Sequence, residues 1–144
     1  MVEIPDSHPR KRSLLSRQKI VEGSLKGLLA DSAMIAHGRG EAFDYLLGEV
    51  TTESAGSAIR ESAARLMAAD HPVISVNGNT VLLAGKRALR LAAALGCSIE
   101  VNLYYRTPER VAGLLSLMEE QRTLVLDEVG PSGFGGDWRE SVMG

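Results

Sequence analysis

Two stretches of similar form constrain the fold of this chain more than any other feature. Residues 72–76 are a short β-branched run that ends at Asn77-Gly78-Asn79. A helical pattern over 86–95 follows and is closed by Gly96. Residues 98–101 form a second such run, ending at Asn102, before another helical pattern. Thr107 can cap that helix, with Pro108 at its first position and Glu109 just behind, and the pattern runs to about Gln121. Residues 123–126 read as a third strand. Strands alternating with helices predict a parallel sheet with helices on its faces. Asn77 and Asn102 then stand at carboxyl ends of strands, where open parallel sheets bind ligands.

The first half reads as helical. Ser13 can cap a helix to about Lys26, with Leu14, Val21, Leu25 and Leu28 on one face. Arg17 and Ser24 lie near that stripe, which would aim Arg17 toward the body of the protein. Gly27 and Asp31-Ser32 loosen the chain, and 33–36 reads as a short buried strand or a turn. A short helix over 41–47 carries Glu41 and Asp44 near its positive end and closes at Gly48. Thr51 or Thr52 starts the next helix, which runs to about Asp70. Its Ala55, Ala58, Ile59, Ser62, Ala63, Leu66 and Met67 keep helical spacing, and alanine on that face implies close packing against a neighbour. Residues 1–126 thus read as a helical N-terminal part followed by strand–helix units, an α/β fold with a small parallel, Rossmann-like sheet. Residues 127–144, with Gly130, Gly133, Gly135 and Gly136, read as a flexible tail.

The 144 residues suit one domain. A net charge of −2 shows no basic excess of the kind nucleic-acid binding asks for. The single basic run, Arg10-Lys11-Arg12, reads as solvated. One cysteine, Cys97, excludes a disulfide framework and fits a reducing cytoplasm; it reads as a small core residue beside Gly96. No apolar stretch is long enough to span a bilayer, and three histidines at irregular spacing make no dedicated zinc site.

The polar stretch His37-Gly38-Arg39-Gly40-Glu41 is the strongest pointer to chemistry. Gly38 and Gly40 would let the backbone bend around Arg39, whose planar fork suits a phosphate or carboxylate. A salt bridge of Arg39 with Glu41 or Asp44 is the plainer alternative. It is half of a dinucleotide fingerprint only, because Phe43 stands where the third glycine would be. His37 is either a general acid–base or a polar loop residue. Asn77-Gly78-Asn79 is either a plain turn or a ligand loop. Tyr104-Tyr105-Arg106 either clamps a substrate or completes the edge of the core.

Several phrases together carry a resemblance. Ser7-His8-Pro9-Arg10, a Ser13-to-Arg17 segment and Ile20-Val21-Glu22-Gly23 come first. AHGRGEAFDYLLGE over 36–49 follows, then TTESA, HPVISVNGN and IEVNLYYRTPERV in the same order. Over about 4–122 the chain resembles the archaeal-type phosphopantothenate synthetase family, also called 4-phosphopantoate–β-alanine ligase.

The resemblance implies an ATP-dependent ligase of coenzyme A biosynthesis. It would join 4-phosphopantoate to β-alanine through an acyl-adenylate, giving 4′-phosphopantothenate, AMP and pyrophosphate. ATP is then a substrate, Mg2+ its companion, and the subunits form a cytoplasmic homodimer that meets neither nucleic acid nor membrane. The ATP-contacting arginines of the family fall on Arg17 and Arg39. His37, Glu41, Asn77 and Arg106 become the candidate catalytic residues, and Asp44, Asn79 and Asn102 candidate substrate ligands. The family's second half adds a nucleotide-binding segment with Asp-Leu-Asn, which does not occur in these 144 residues. The chain therefore reads as a truncated or divergent member, or a fragment, with little or no ligase activity alone and a tendency to self-associate. A catalytically inactive nucleotide-binding or interaction module, and a different nucleotide-dependent transferase, are the competing readings.

Overall fold

The computed structural model describes residues 4–129 and 142–143. Among them the elements are α1 (Lys11–Leu25), α2 (Ser32–Leu46), α3 (Glu53–Ala68), β1 (Val73–Val76), α4 (Gly78–Leu95), β2 (Ser98–Val101), α5 (Pro108–Val129) and β3 (Val142–Met143). β1 and β2 are parallel, with Val73 opposite Ser98 and Val76 opposite Val101. β3 adds to the far side of β2, also parallel. The Asn102 amide donates to the Val76 carbonyl at 2.9 Å, so Asn77 and Asn102 share one end of the sheet as the alternation predicts.

The period-two alternation of the strands places Ile74, Val76, Ile99 and Val101 on one face. That face packs against Val81, Leu89 and Ala92 of α4 and Leu114, Met118 and Val125 of α5. The two helices approach closely at Gly85, where an added Cβ would meet Gln121 Oε1 at 2.0 Å. Gln121 Nε2 donates to the Val81 carbonyl at 3.1 Å in the same contact.

Several helical expectations change. α4 begins at Gly78, eight residues before the expected start, because Asn77 caps it. Asn77 Oδ1 accepts from the Thr80 amide and the Thr80 hydroxyl, both at 3.0 Å. Asn77-Gly78-Asn79 is therefore a helix start and not a free loop. Residues 123–126 are no strand but a continuation of α5. Val125 extends the buried stripe of Val111, Leu114 and Met118, so burial overrides the β-branched composition there. The expected tail over 127–144 lies mostly outside the described residues, while Asp127 falls in α5 and Val142–Met143 form β3.

α1 starts at Lys11 instead of after Ser13, and its buried face is not the predicted one. Ile20 and Gly23 are buried, whereas Val21 and Leu25 are exposed. Leu82 and Leu29 reach into the space beside Gly23, where a Cβ would meet Leu82 Cδ2 at 2.6 Å. A glycine that lets another helix come close carries no hydrophobic signal, so the stripe was misassigned by rotation. Arg17 consequently points outward and is exposed.

The glycines of His37–Glu41 do not bend the chain. Residues 33–36 and 41–46 are parts of one continuous helix, α2, with Gly38 and Gly40 inside it. Each interior glycine costs about 0.5–1 kcal/mol relative to alanine. No atom outside the helix lies within 4 Å of a Cβ built at either position, and nothing among the described residues explains them. The helix survives because α2 packs on α1 and α4. Asn79 Nδ2 also donates to the Ala33 carbonyl at 3.1 Å.

α3 starts as predicted, with Thr52 Oγ1 accepting from the Ala55 amide at 3.2 Å. The neighbour expected on its alanine face is absent among the described residues. None of its residues is buried, and Ile59 and Met67 are 61% and 73% exposed.

Candidate functional site

A cavity of about 760 Å³ opens between the start of α1, α2 and the first turn of α4. Four predicted residues line it: His37, Glu41, Asp44 and Asn79. The helical repeat explains the grouping on α2, since residues four apart share a face. His37, Glu41 and Tyr45 form such a ladder. Arg39, about 200° around the helix from His37, faces away from them.

Glu41 is the organising group. Arg10 Nη2 forms an ion pair with Glu41 Oε1, and the Tyr45 hydroxyl donates to the same oxygen at 3.0 Å. Arg10 Nε donates to the Tyr45 oxygen at 2.9 Å, and the guanidinium lies 5.4 Å from the Tyr45 ring centroid. The Ser13 hydroxyl beside Glu41, then Arg10 and Tyr45, hold its carboxyl down at about 2, against the opposing effect of burial. The side chain is 11% exposed, so this charge is fixed and largely shielded from water. His37 Nδ1 is buried with no hydrogen-bond partner among the described residues. Glu41 and His37 thus line one cavity, with the His37 Nδ1 atom itself shielded from it. The Glu41 charge in this lining suits an ammonium group.

A second cavity, of about 170 Å³, lies at the carboxyl ends of β1 and β2. Asn77, Gly78 and Asn79 line it from the start of α4, facing Tyr104, Tyr105 and Arg110. Asn79 and Ala36 line both cavities, so the two adjoin.

The remaining predicted residues stand apart. Arg17, Arg39 and Arg106 are exposed and line neither cavity. None of the three has a hydrogen bond or ion pair among the described residues, so the alternative salt bridges of Arg39 with Glu41 or Asp44 do not form. Asn102 is exposed, with Nδ2 3.5 Å from Glu100 Oε1, which also accepts from Ser75 Oγ at 2.8 Å. Tyr104 and Tyr105 meet edge to face, 5.0 Å between ring centroids, at the surface and not in the core edge. Cys97 is buried, and desolvation raises its thiol pKa, as suits a core residue.

Sequence reasoning missed Arg10, Tyr45 and Arg110. Arg10 lay in a run read as solvated, and its partner Glu41 is 31 positions away. Only the fold brings them together. Tyr45, by contrast, was detectable as the i+4 neighbour of Glu41 on one helix.

Among the described residues no three His, Cys, Asp or Glu side chains gather as metal ligands. The residues present do not fit a protein-built cage for a divalent cation. No helix is long and apolar enough to cross a membrane.

A parallel sheet packed against helices, with one cavity at its strand ends and a larger one adjoining it, makes this an α/β protein of the kind whose ligands bind beyond strand ends. The family model described as phosphopantothenate/pantothenate synthetase matches residues 54–130, and the chain belongs to that family. It is similar to the 4-phosphopantoate--beta-alanine ligase of Thermococcus kodakarensis, 57% identical over 111 residues, which are 77% of this chain and 42% of the relative. The Methanospirillum hungatei protein of the same name is 52% identical over 117 residues, 81% of this chain and 48% of that one. The Methanosarcina mazei ligase is 50% identical over 111 residues, 77% and 44% of the two chains. The chain spans less than half the length of the curated relatives it matches.

Proposed function

We propose that this protein serves the ATP-dependent joining of 4-phosphopantoate to β-alanine, giving 4′-phosphopantothenate, AMP and pyrophosphate. The observation that carries this reading is the larger cavity, whose lining includes a carboxylate held ionised, Glu41, and His37 one turn before it. It is supported by relatives that bear the ligase name.

The chemistry divides in two. The carboxylate oxygen of 4-phosphopantoate attacks the α-phosphorus of ATP and pyrophosphate leaves, forming an acyl-adenylate. The β-alanine nitrogen then attacks the acyl carbon, the C–O bond to AMP breaks, and the ammonium proton must leave. Glu41 and Asp44 hold the ammonium, and the His37 imidazole accepts its proton. Asn79, on the wall between the cavities, positions the acid beside the amine. Asn77 fixes the first turn of α4, and Asn102 and Arg106, which follow β2 outside both cavities, would meet the substrates only from the surface. Arg17 and Arg39, without partners among the described residues, bind the nucleotide phosphates, and Mg2+ arrives as part of the nucleotide substrate. The protein acts in the cytoplasm as a homodimer, whose contact surface includes the exposed apolar residues of α2 and α3.

One observation favours a second reading, a binding module of the same fold without turnover: Arg17, Arg39 and Arg106 line neither cavity. The test of the chemistry is isotopic. With 4-phosphopantoate carrying 18O in its carboxylate, an acyl-adenylate route transfers one label into AMP. Label in inorganic phosphate, or none in AMP, sinks the adenylate step.

A further inference from the structure

Arg10 is held from several sides at the larger cavity. Its backbone amide donates to His8 Nδ1 at 3.0 Å. Its Nε donates to the Tyr45 oxygen at 2.9 Å, its Nη2 donates to Glu41 Oε1, and the guanidinium carbon lies 5.4 Å from the Tyr45 ring centroid. A guanidinium carries five N–H donors, so this bonding fixes its plane and still leaves donors over. Nη1 has no hydrogen-bond partner among the described residues, and the side chain is 51% exposed in the cavity lining. Glu41 lines the same cavity. Both of its hydrogen bonds go to Oε1, and Oε2 accepts none among the described residues. A cation and a carboxylate in direct contact therefore each keep one atom unused. Asp44 and Glu49 add negative charge to the lining, and Arg12 adds positive charge. A polyanion would meet three carboxylates there, whereas a zwitterion finds a partner for each of its charges.

We propose that Arg10 is a specificity-determining residue of this cavity: its Nη1 binds the carboxylate of an amino acid whose ammonium group lies on Glu41 Oε2, and Tyr45 positions both side chains. The assignment deepens the ligase reading and rests on it for the identity of the amino acid, β-alanine. Two carbons separate the charged groups of β-alanine, which suits binding groups that touch one another. Guanidinium, ligand carboxylate, ligand ammonium and Glu41 then alternate in sign around a ring. A guanidinium already oriented by Tyr45 and Glu41 loses little freedom when it takes the ligand. An amine without a carboxylate uses only half of the arrangement.

The test is a titration of the 15N-labelled 144-residue chain with β-alanine and, separately, with propylamine, followed by NMR at the Arg10, Glu41 and Tyr45 amides. Propylamine has a methyl group in place of the carboxylate. The wild type should bind β-alanine at least about tenfold more tightly than propylamine, the equivalent of about 1.4 kcal/mol. Arg10→Met should lose that preference. β-Alanine should weaken at least about tenfold, while propylamine binds as well or better, because Glu41 is no longer neutralised. General damage to the site would weaken both ligands alike. Tyr45→Phe keeps the ring but not the hydroxyl, and Arg10→Lys keeps the charge but not the fork; each should lose part of the preference. These two variants carry the test where Arg10→Met does not fold, and unshifted Ile99 and Leu114 amides report an intact fold. Arg87→Met, exposed on α4 and outside the cavity, should change neither affinity. No saturable β-alanine binding, no preference over propylamine in the wild type, or equal losses of both ligands in the variants overturns the assignment. If the preference and its loss are found but AMP release is indifferent to β-alanine, the ligase reading fails alone. If AMP release requires β-alanine and the variants keep the wild-type preference, this assignment fails alone.

Discussion

Arg10 and Glu41, 31 positions apart in sequence, form an ion pair that ties the residue before α1 to the middle of α2. Tyr45 closes the pair into a triangle by bonding both partners. The pair sits on the rim of the larger cavity, so it shapes the site and holds two helices together.

A pH dependence follows. Glu41 lies at about 2 in the folded protein against an ordinary value of 4.5. A depressed carboxyl stabilises the fold fully above its unfolded pKa, and that contribution is lost as pH falls through the folded value. Chemical unfolding of the protein should therefore lose stability between about pH 4.5 and pH 2. Glu41→Gln should be less stable at neutral pH and show a flatter profile over that window. Parallel profiles for the two proteins would show that Glu41 is not held in this way.

Arg39 and Arg17 should separate binding from folding. Both are exposed and without partners among the described residues, and surface changes of this kind usually alter stability by no more than about 0.5 kcal/mol. Arg17→Ala and Arg39→Lys should therefore unfold almost as the wild type does. A lost charge-assisted contact to phosphate is worth about 1.5–3 kcal/mol, so nucleotide affinity should drop about tenfold or more. Lysine cannot reproduce the planar fork. Unchanged ATP affinity in both variants, measured by calorimetry, would remove these arginines from the nucleotide site.

The strand–helix order, the parallel pairing of 72–76 with 98–101 and the cap at Thr107 were all legible, because each has a local chemical signature. The Arg110 backbone amide, in the first turn of α5, donates to Thr107 Oγ1 at 3.2 Å as such a cap requires. The break at Gly38 and Gly40 was misread for a physical reason. Glycine propensity is a weak local term, and packing of α2 on α1 and α4 outweighs it. The grouping of His37 with Glu41 follows from helical spacing, but only once the segment is known to be one helix. Arg10 and Arg110 were not legible, since each acquires its role from contacts that sequence spacing does not encode.

Gly78 offers a packing prediction. A Cβ there would lie 2.4 Å from Leu29 Cδ2 and 3.6 Å from Leu114 Cδ1. Gly78→Ala should cost about 1–3 kcal/mol through overpacking of a filled core. Leu114→Ala in the same contact should cost about 2–5 kcal/mol through the cavity it leaves. Denaturant midpoints measure both, and an unchanged midpoint for Gly78→Ala would show that Leu29 yields freely.

The exposed side of α3 should govern association. Ile59 is 61% exposed on a helix with no buried residue, and α2 adds exposed Phe43 and Leu46. Sedimentation of the wild-type chain should show dimers or larger species, and Ile59→Glu should shift the distribution toward monomer. A monomeric wild type would contradict the homodimer.

AMP formation from ATP by the purified chain, with 4-phosphopantoate and β-alanine each withheld in turn, tests the central claim most directly. The account predicts slow AMP release that requires both co-substrates, well below the rate of the Thermococcus kodakarensis relative, because transition-state stabilisation needs every donor in place at once. His37→Gln should lower it further, at least about tenfold, through loss of the proton acceptor. AMP release that is indifferent to the acid or the amine would contradict the ligase reading, and robust release at the relative's rate would contradict the expectation of little activity from this chain alone.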